Sequence, residues 1–303
     1  MTQEGIFEMS DLELLSYYLG IEVSQGSEYI TFGQAGYAEK TLGKFGMMDC
    51  KTCRVPMDSR TKLSKKDESP LVNATLYKST IRSLGYLVST RPDLAYSVGI
   101  VSRFMESLTS KHLGAVKQIL RYIKGILNYG CRYVKEERKE LRLIGYCDSD
   151  LAGDIDDRKS TSGVIYFLGS NPITWFSQKQ KVVALSSCEA EYVAATAGAC
   201  QGVWIERFLS ELRGQQDKKT LLRIDNRSAI ALTKNRVHHS RSKHIDVKYH
   251  FLRDCVQNGD IEVEYVKTEE QCADILTKPL SWDKFEKRRI MIGIKNVKTL
   301  RQD

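Results

Sequence analysis

Residues 141–177 read LRLIGYCDSDLAGDIDDRKSTSGVIYFLGSNPITWFS. Three apolar runs stand in this stretch, at Leu141–Tyr146, Val164–Leu168 and Ile173–Phe176. Each has the length and the branched or aromatic content of a strand. Gly169-Ser170-Asn171-Pro172, between the second and third, is turn chemistry that makes those two a hairpin. The first run ends on Cys147-Asp148-Ser149-Asp150. Downstream the period changes. The pattern predicts a long helix over Ser187–Arg213, a strand over Thr220–Ile224 and a short helix over Ser228–Lys234. A helix over His244–Gln257, with Gly259 just past its end, a strand over Glu262–Val266 and a last helix from near Glu269 complete it. The order β-β-β-α-β-α-α-β-α predicts an α/β fold, a mixed five-stranded sheet with flanking helices.

Upstream, the signals point to a smaller, mainly helical unit. A hairpin is expected from Tyr18–Ser24 and Glu28–Phe32 about the turn Gln25-Gly26-Ser27, then a short helix near Tyr37–Phe45. Residues 50–73 (CKTCRVPMDSRTKLSKKDESPLVN) are polar and hold two of the five prolines, and read as a long surface loop, the least ordered part of the chain. Three helices follow: Ala74–Val88, one started by Pro92 with Asp93 in its first turn, and one from about Leu113 to Tyr129 closed by Gly130. In the third, Val116, Ile119, Leu120, Ile123 and Leu127 form an apolar stripe. Lys117, Arg121 and Lys124 line its side, as a solvated face or a nucleic-acid contact. The charge run Lys135–Glu140 reads as a linker. The expected organisation is therefore residues 1–136, residues 137–294 and a tail at 295–303.

With 303 residues, about two domains are expected. Lys and Arg number 46 against 38 Asp and Glu, a net charge of +8 that suits a polyanionic partner without requiring one. No apolar run approaches the roughly 20 residues of a membrane span, and the first twenty residues carry acids and no basic leader, so neither a membrane segment nor a signal peptide is expected. Eight cysteines without dense spacing read as reduced thiols, and hence an intracellular protein, cytoplasmic or nuclear. Cys50-x-x-Cys53 has no partner pair to complete a zinc site. Four of the five histidines gather at His238, His239, His244 and His250, again without paired cysteines. They are expected to be structural or to touch substrate.

Four acids stand at element ends in the C-terminal half: Asp148, Glu191, Asp225 and Asp274. Carboxylates gathered at one point repel strongly, and a fold that collects them does so to hold cations. Asp148 closes the first strand and Asp225 the fourth, so neighbouring strands would set them side by side. Glu191 lies early on the long helix, where Ala194, Ala195 and Gly198 make a small face that can approach the sheet. Glu189 is about 200° round the helix from Glu191 and cannot point to the same place. Asp274 follows a capping-box-like Thr268-x-x-Gln271 in the last helix and would close the site. Singly, each has a plainer reading. Asp225 can cap the next helix, Asp274 and Glu191 can be solvated, and Asp148 competes with Asp150.

The segments YCDSDLAGDIDDRKSTSG, SQKQKVVALSSCEAEYVAA, IDNRSAIAL, SRSKHIDVKYHFLRD and ADILTKPL closely resemble the RNase H domain of copia-type LTR retrotransposon polyproteins, from about residue 142 to 294. LELLSYYLGIEV resembles the last palm hairpin of the matching reverse transcriptase, and STRPDLAYSVGIVSRFM with KQILRYIKG its thumb and connecting helices. The resemblance implies an RNase H-like fold behind a palm and thumb remnant. It implies that Asp148, Glu191, Asp225 and Asp274 match the family's catalytic metal ligands, for two Mg²⁺ ions or Mn²⁺. It implies hydrolysis of the RNA strand of an RNA–DNA hybrid, with the remaining polymerase portion as a partner. Arg158 and Lys159, between the first two strands, join Lys117, Arg121 and Lys124 as nucleic-acid contacts, or form a solvated hairpin.

Some departures from the family pattern stand out. The polymerase Tyr-x-Asp-Asp hairpin is not found, and Asp156-Asp157 lack its context. The chain is expected to begin just downstream of that motif and to synthesise no DNA alone. Arg82 stands where Gly is usual, and Gly85 where a larger residue is. The mobile histidine many RNases H carry before the last helix is replaced by Lys267-Thr268-Glu269. The alternative function is a catalytically silent fragment that binds nucleic acid or protein.

Overall fold

Two five-stranded sheets organise the described residues. The computed structural model describes residues 14–106, 108–136, 141–214, 218–234 and 246–298, with the backbone alone for 246–249. Among these residues no helix is long and apolar enough to cross a membrane.

The second sheet is the one the sequence predicts. Strands β5 (Leu143–Ser149), β6 (Thr161–Leu168) and β7 (Asn171–Lys179) form an antiparallel meander. The helix α5 (Ser187–Arg213) then crosses over, and β8 (Thr220–Ile224) pairs parallel to β5. After α6 (Arg227–Lys234) and α7 (Asp246–Gln257), β9 (Ile261–Tyr265) pairs parallel to β8. Helix α5 starts where the side chain of Ser186 accepts from the backbone of Glu189 (3.2 Å), while Glu189 Oε2 accepts from Leu185 N (2.6 Å). It stops at Gly214, whose φ of 60° lies in the left-handed region. Strand β6 is buried on both faces. Val164 and Tyr166 pack with the α5 side, and Ile165 and Phe167 with the helices of the first unit. Each such side chain contributes about 1.5–3 kcal/mol on leaving water.

In the first unit, β1 (Tyr17–Tyr18), β2 (Ile21–Gln25) and β3 (Tyr29–Gly33) precede α1 (Ala35–Lys44), α2 (Ala74–Leu87), α3 (Ala95–Val101) and α4 (Ser110–Gly125). The single strand expected over Tyr18–Ser24 is broken by Leu19 and Gly20, both at positive φ, and folds back on itself as β1 and β2. Pro92 opens a 3-10 turn that runs into α3.

Helix α4 departs from expectation at its end. It stops at Gly125, and Gly130 is not its cap but part of β4 (Tyr129–Val134). Strand β4 has partners on both sides, β3 and β10 (Ile294–Asn296), and these ladders outweigh another turn of helix. A Cβ on Gly130 would strike the carbonyl of Phe32, so the residue is glycine for the close approach of β3. The first unit is therefore less purely helical than its pattern suggests. Lys295 and Asn296, expected in a tail, are strand residues of the first sheet. Of the charge run Lys135–Glu140 expected as a linker, residues 137–140 lie outside the described residues; β4 ends before the run and β5 begins after it.

Residues 50–73 have no helix or strand, as expected, yet they are held down. Met57 and Leu63 are buried, and Leu71 bridges to Thr109. The last helix, α8, runs over Trp282–Met291 rather than from Glu269. Two 3-10 segments, Thr268–Glu270 and Cys272–Leu276, take the intervening stretch.

Candidate metal centre

Strands β5 and β8 are neighbours, with Tyr146 opposite Arg223. Asp148, two residues further along β5, and Asp225, just past β8, thus leave the sheet side by side. Helix α5 brings the third carboxylate. Its face of Ala190, Ala194, Ala195 and Gly198 is buried against the sheet, so Glu191 reaches the strand ends. One oxygen from each of Asp148, Glu191 and Asp225 lies within 4.8 Å of the others. Asp148 and Glu191 are buried and Asp225 is half-buried.

Asp274 sits on the 3-10 segment Cys272–Leu276, not on a long helix as its sequence suggests. That segment lies on β6 because residue 163 is glycine. A Cβ there would come within 2.7 Å of Leu276 and Thr277. Gln271 anchors it, donating from Nε2 to Cys147 O (2.9 Å) and accepting from Ala273 N (3.2 Å). Asp274 does not join the three-carboxylate group. Lys278 Nζ lies 2.7 Å from one of its oxygens and Arg288 Nη2 3.0 Å from the other. The Lys278 ammonium also stands 3.4 Å from Asp148 Oδ2, so it links the fourth acid to the first.

The electrostatics follow. Burial, then the charges of Asp148 and Asp225, pushes the Glu191 carboxyl up to about 10. Burial likewise raises Asp148, against the pull of Lys278. Burial pushes Asp150 up to about 6, and its side chain accepts from Thr161 N, away from the trio. Glu191 Oε2 is buried with no hydrogen-bond partner. Three clustered carboxylates with an orphaned buried oxygen fit a hard divalent cation, which takes oxygen ligands and offsets their repulsion.

The structure brings together three of the four acids the sequence singles out. It also separates their neighbours from them: Glu189 accepts at the start of its own helix, and Asp150, which the sequence left in competition with Asp148, holds the β5–β6 loop. The sequence missed the groups around them. Thr277 donates its hydroxyl to Asp148 Oδ2, and Thr268 Oγ1 donates to Asp225 Oδ2 (3.3 Å). Lys278 was findable, four residues after Asp274 on the same helical turn spacing. Arg288 carries no such signal.

The expected phosphate contacts scatter. Arg121 Nε donates to Lys51 O (2.7 Å) and Lys124 Nζ to Cys50 O (2.7 Å), so both tie down the 50–53 segment instead of forming an open face. Lys117 is exposed on α4. Arg158 is exposed at a φ of 59°, and Lys159 Nζ lies 3.6 Å from Asp157. Cys50 and Cys53 are free thiols, and Cys53 Sγ donates to Val55 O and Gln118 O (3.3 Å each). His238, His239 and His244 lie outside the described residues, and His250 is exposed on α7.

A family model described as "Reverse transcriptase (RNA-dependent DNA polymerase)" matches residues 2–59. The Retrovirus-related Pol polyprotein from transposon TNT 1-94 of Nicotiana tabacum is 39% identical over 95% of this chain and 22% of its own length. That from transposon RE1 of Arabidopsis thaliana is 40% identical over 96% of this chain and 20% of its own. The chain thus spans about a fifth of the length of these relatives. Among solved structures, the N-terminal RNase H domain of a Mycobacterium tuberculosis protein is similar over 50% of this chain and 98% of its own, at 14% identity and a TM-score of 0.35. A foamy viral protease–reverse transcriptase in complex with double-stranded DNA is similar over 83% and 37%, at 12% identity and a TM-score of 0.47. With near 40% identity to transposon Pol polyproteins along almost its whole length, and a reverse transcriptase model matching its first part, the chain belongs to the copia-type Pol polyprotein family of retrotransposons.

Proposed function

We propose that this chain hydrolyses the RNA strand of RNA–DNA hybrids, with divalent cations held by Asp148, Glu191 and Asp225. The convergence of these three carboxylates, two of them buried and one with an unpartnered oxygen, carries the reading. Bound there, Mg²⁺ or Mn²⁺ lowers the pKa of a water nucleophile and offsets charge on the leaving 3′ oxygen.

The chain's own residues provide the rest. Asp148 and Asp225 are fixed by neighbouring strands, and Thr277 and Thr268 orient one oxygen of each by hydrogen bonds. Glu191 is fixed by a helix pressed to the sheet, so its oxygens keep their place without a hydrogen bond at Oε2. Asp274 holds Lys278 beside Asp148 Oδ2. It is a candidate ligand only once Lys278 moves. The basic surface binds backbone phosphates without reading sequence, and RNA is chosen at the 2′-hydroxyls. The setting proposed is intracellular, in keeping with eight free cysteines, with the remaining polymerase portion as partner.

The test is cleavage of a labelled RNA–DNA hybrid by the purified chain in Mg²⁺ and in EDTA, beside Asp148→Asn. Cutting of the RNA strand that needs Mg²⁺ and the aspartate is the expected result. Hybrid binding without cutting would replace it with the catalytically silent binding module.

A further inference from the structure

Residues 58–70 read DSRTKLSKKDESP and have no role in the proposed metal centre. They carry neither helix nor strand, yet the fold fixes them at both ends and in the middle. Leu63 is buried. Ser64 Oγ donates to Asp156 Oδ1 (2.5 Å), and Lys65 N donates to Asp156 Oδ2 (2.8 Å). Asp67 accepts from Ser69 Oγ (2.6 Å) and from the hydroxyl of Thr109, and Pro70 O accepts from Ser110 N (2.8 Å).

The anchor for this segment belongs to the other sheet. Asp156 stands in the loop between β5 and β6, which begins directly after the strand that bears Asp148. That loop is itself rigid. Asp154 accepts from the backbone of Asp156 (3.1 Å) and pairs with Lys179 (2.6 Å) and Arg103 (3.3 Å). The segment is thereby tied to the loop that follows the Asp148 strand.

The charges in this region are sorted. Asp154 is buried and Asp67 and Asp156 half-buried, each taken up by hydrogen bonds within the fold. Arg60, Lys62, Lys65 and Lys66 are exposed, and Lys111 stands 4.0 Å from Asp67. Among the described residues, none of these first four makes an ion pair within the protein. Ordering a polar segment costs about 1–2 kcal/mol per residue in backbone entropy. Cations already held in place lose less freedom when an anion arrives. A lysine-rich loop kept ordered by an acid from the β5–β6 loop has the chemistry of a prepaid polyanion site.

We propose that residues 58–70 bind the phosphodiester backbone of the duplex entering the metal centre, with Arg60, Lys62, Lys65 and Lys66 as the phosphate contacts and Asp156 as their positioning residue. The proposal rests on the nuclease reading for the identity of the duplex, but the binding itself needs no metal.

The test is fluorescence anisotropy of the full chain with a labelled RNA–DNA hybrid in EDTA, from about 50 to 200 mM KCl. Changing Arg60, Lys62, Lys65 and Lys66 together to Gln should reduce the slope of log K against log salt by about 0.9 per lost contact, roughly 3–4 in all. Asp156→Ala gives the sharper discrimination. Removing an acid should tighten binding if only net charge matters, whereas loss of positioning should weaken it roughly tenfold. Ser64→Ala, which removes one anchor bond without changing charge, should weaken binding in the same direction and guards against a folding defect in Asp156→Ala. An unchanged salt slope in the fourfold variant, or tighter binding by Asp156→Ala, overturns the proposal. Cleavage in Mg²⁺ is scored separately on the unaltered chain. No cutting together with the expected slope change would remove the nuclease and leave the phosphate site.

Discussion

Two buried carboxylates in this molecule, Asp93 and Glu191, meet opposite fates. Asp93, in the first unit, receives a two-pronged guanidinium from Arg91 (2.8 and 2.7 Å) and the hydroxyl of Tyr122 (2.6 Å). Burial alone would raise it, but Arg91 and these hydrogen bonds hold it below the usual carboxylate range. Glu191 faces two more acids and is pushed up to about 10. Asp93 is complete within the chain and serves the fold. Glu191 keeps one buried oxygen without a hydrogen-bond partner and meets acids where Asp93 meets a cation. Asp274 lies between these extremes, with Lys278 and Arg288 supplying its counter-charge from within.

This contrast can be broken by experiment. Asp148→Asn should lower Mg²⁺-dependent cleavage by more than the roughly 10–100-fold that loss of an outer-shell partner costs, read with the hybrid assay. Its melting temperature in EDTA should not fall, because the change relieves repulsion. Asp93→Asn should do the reverse. It leaves Arg91 buried without its partner, at about 3–5 kcal/mol in denaturant melts, with metal binding intact. If both variants destabilise alike, the distinction is wrong. Mg²⁺ at a hundredfold excess over its dissociation constant should stabilise the unaltered chain by about 2.7 kcal/mol and do nothing for Asp148→Asn.

The pH response sharpens the same point. Glu191 has its folded value raised above the ordinary 4.5, so its contribution is whole at acid pH and is lost as pH climbs toward about 10. In EDTA the unfolding free energy should therefore fall between pH 5 and 9, by at most about 1.4 kcal/mol per pH unit for one group, and the melting temperature with it. Added Mg²⁺ should flatten that slope. Asp93 works in the other direction. Its value is lowered, so its contribution is present at neutral pH and fades only in acid. The smallest effect is expected of Arg142→Ala, which removes an exposed pair with Glu262 and should cost about 0.5 kcal/mol or less.

What could be read in the chain was local. Helix α5 carries its start and stop in Ser186, Glu189 and Gly214, and both bounds are as the pattern predicts. Asp148 and Asp225 were placed by asking where strands end. Long-range partners escaped. A glycine after an apolar helical stripe looks the same whether it caps the helix or lets a strand come close, and only β3 and β10 decide for Gly130. Arg121 and Lys124 looked free because their acceptors are backbone carbonyls some seventy residues earlier. The loop at 50–73 read as loose because its anchor, Asp156, is some ninety residues away.

Strand β10 has a consequence for synthesis. It closes the first sheet from the far end of the sequence, against a strand made long before it. While the whole second sheet is being translated, β4 offers one side of its backbone to any passing strand. The nascent chain must therefore carry an open edge until residues 294–296 emerge, and the sheet begun first is the one finished last.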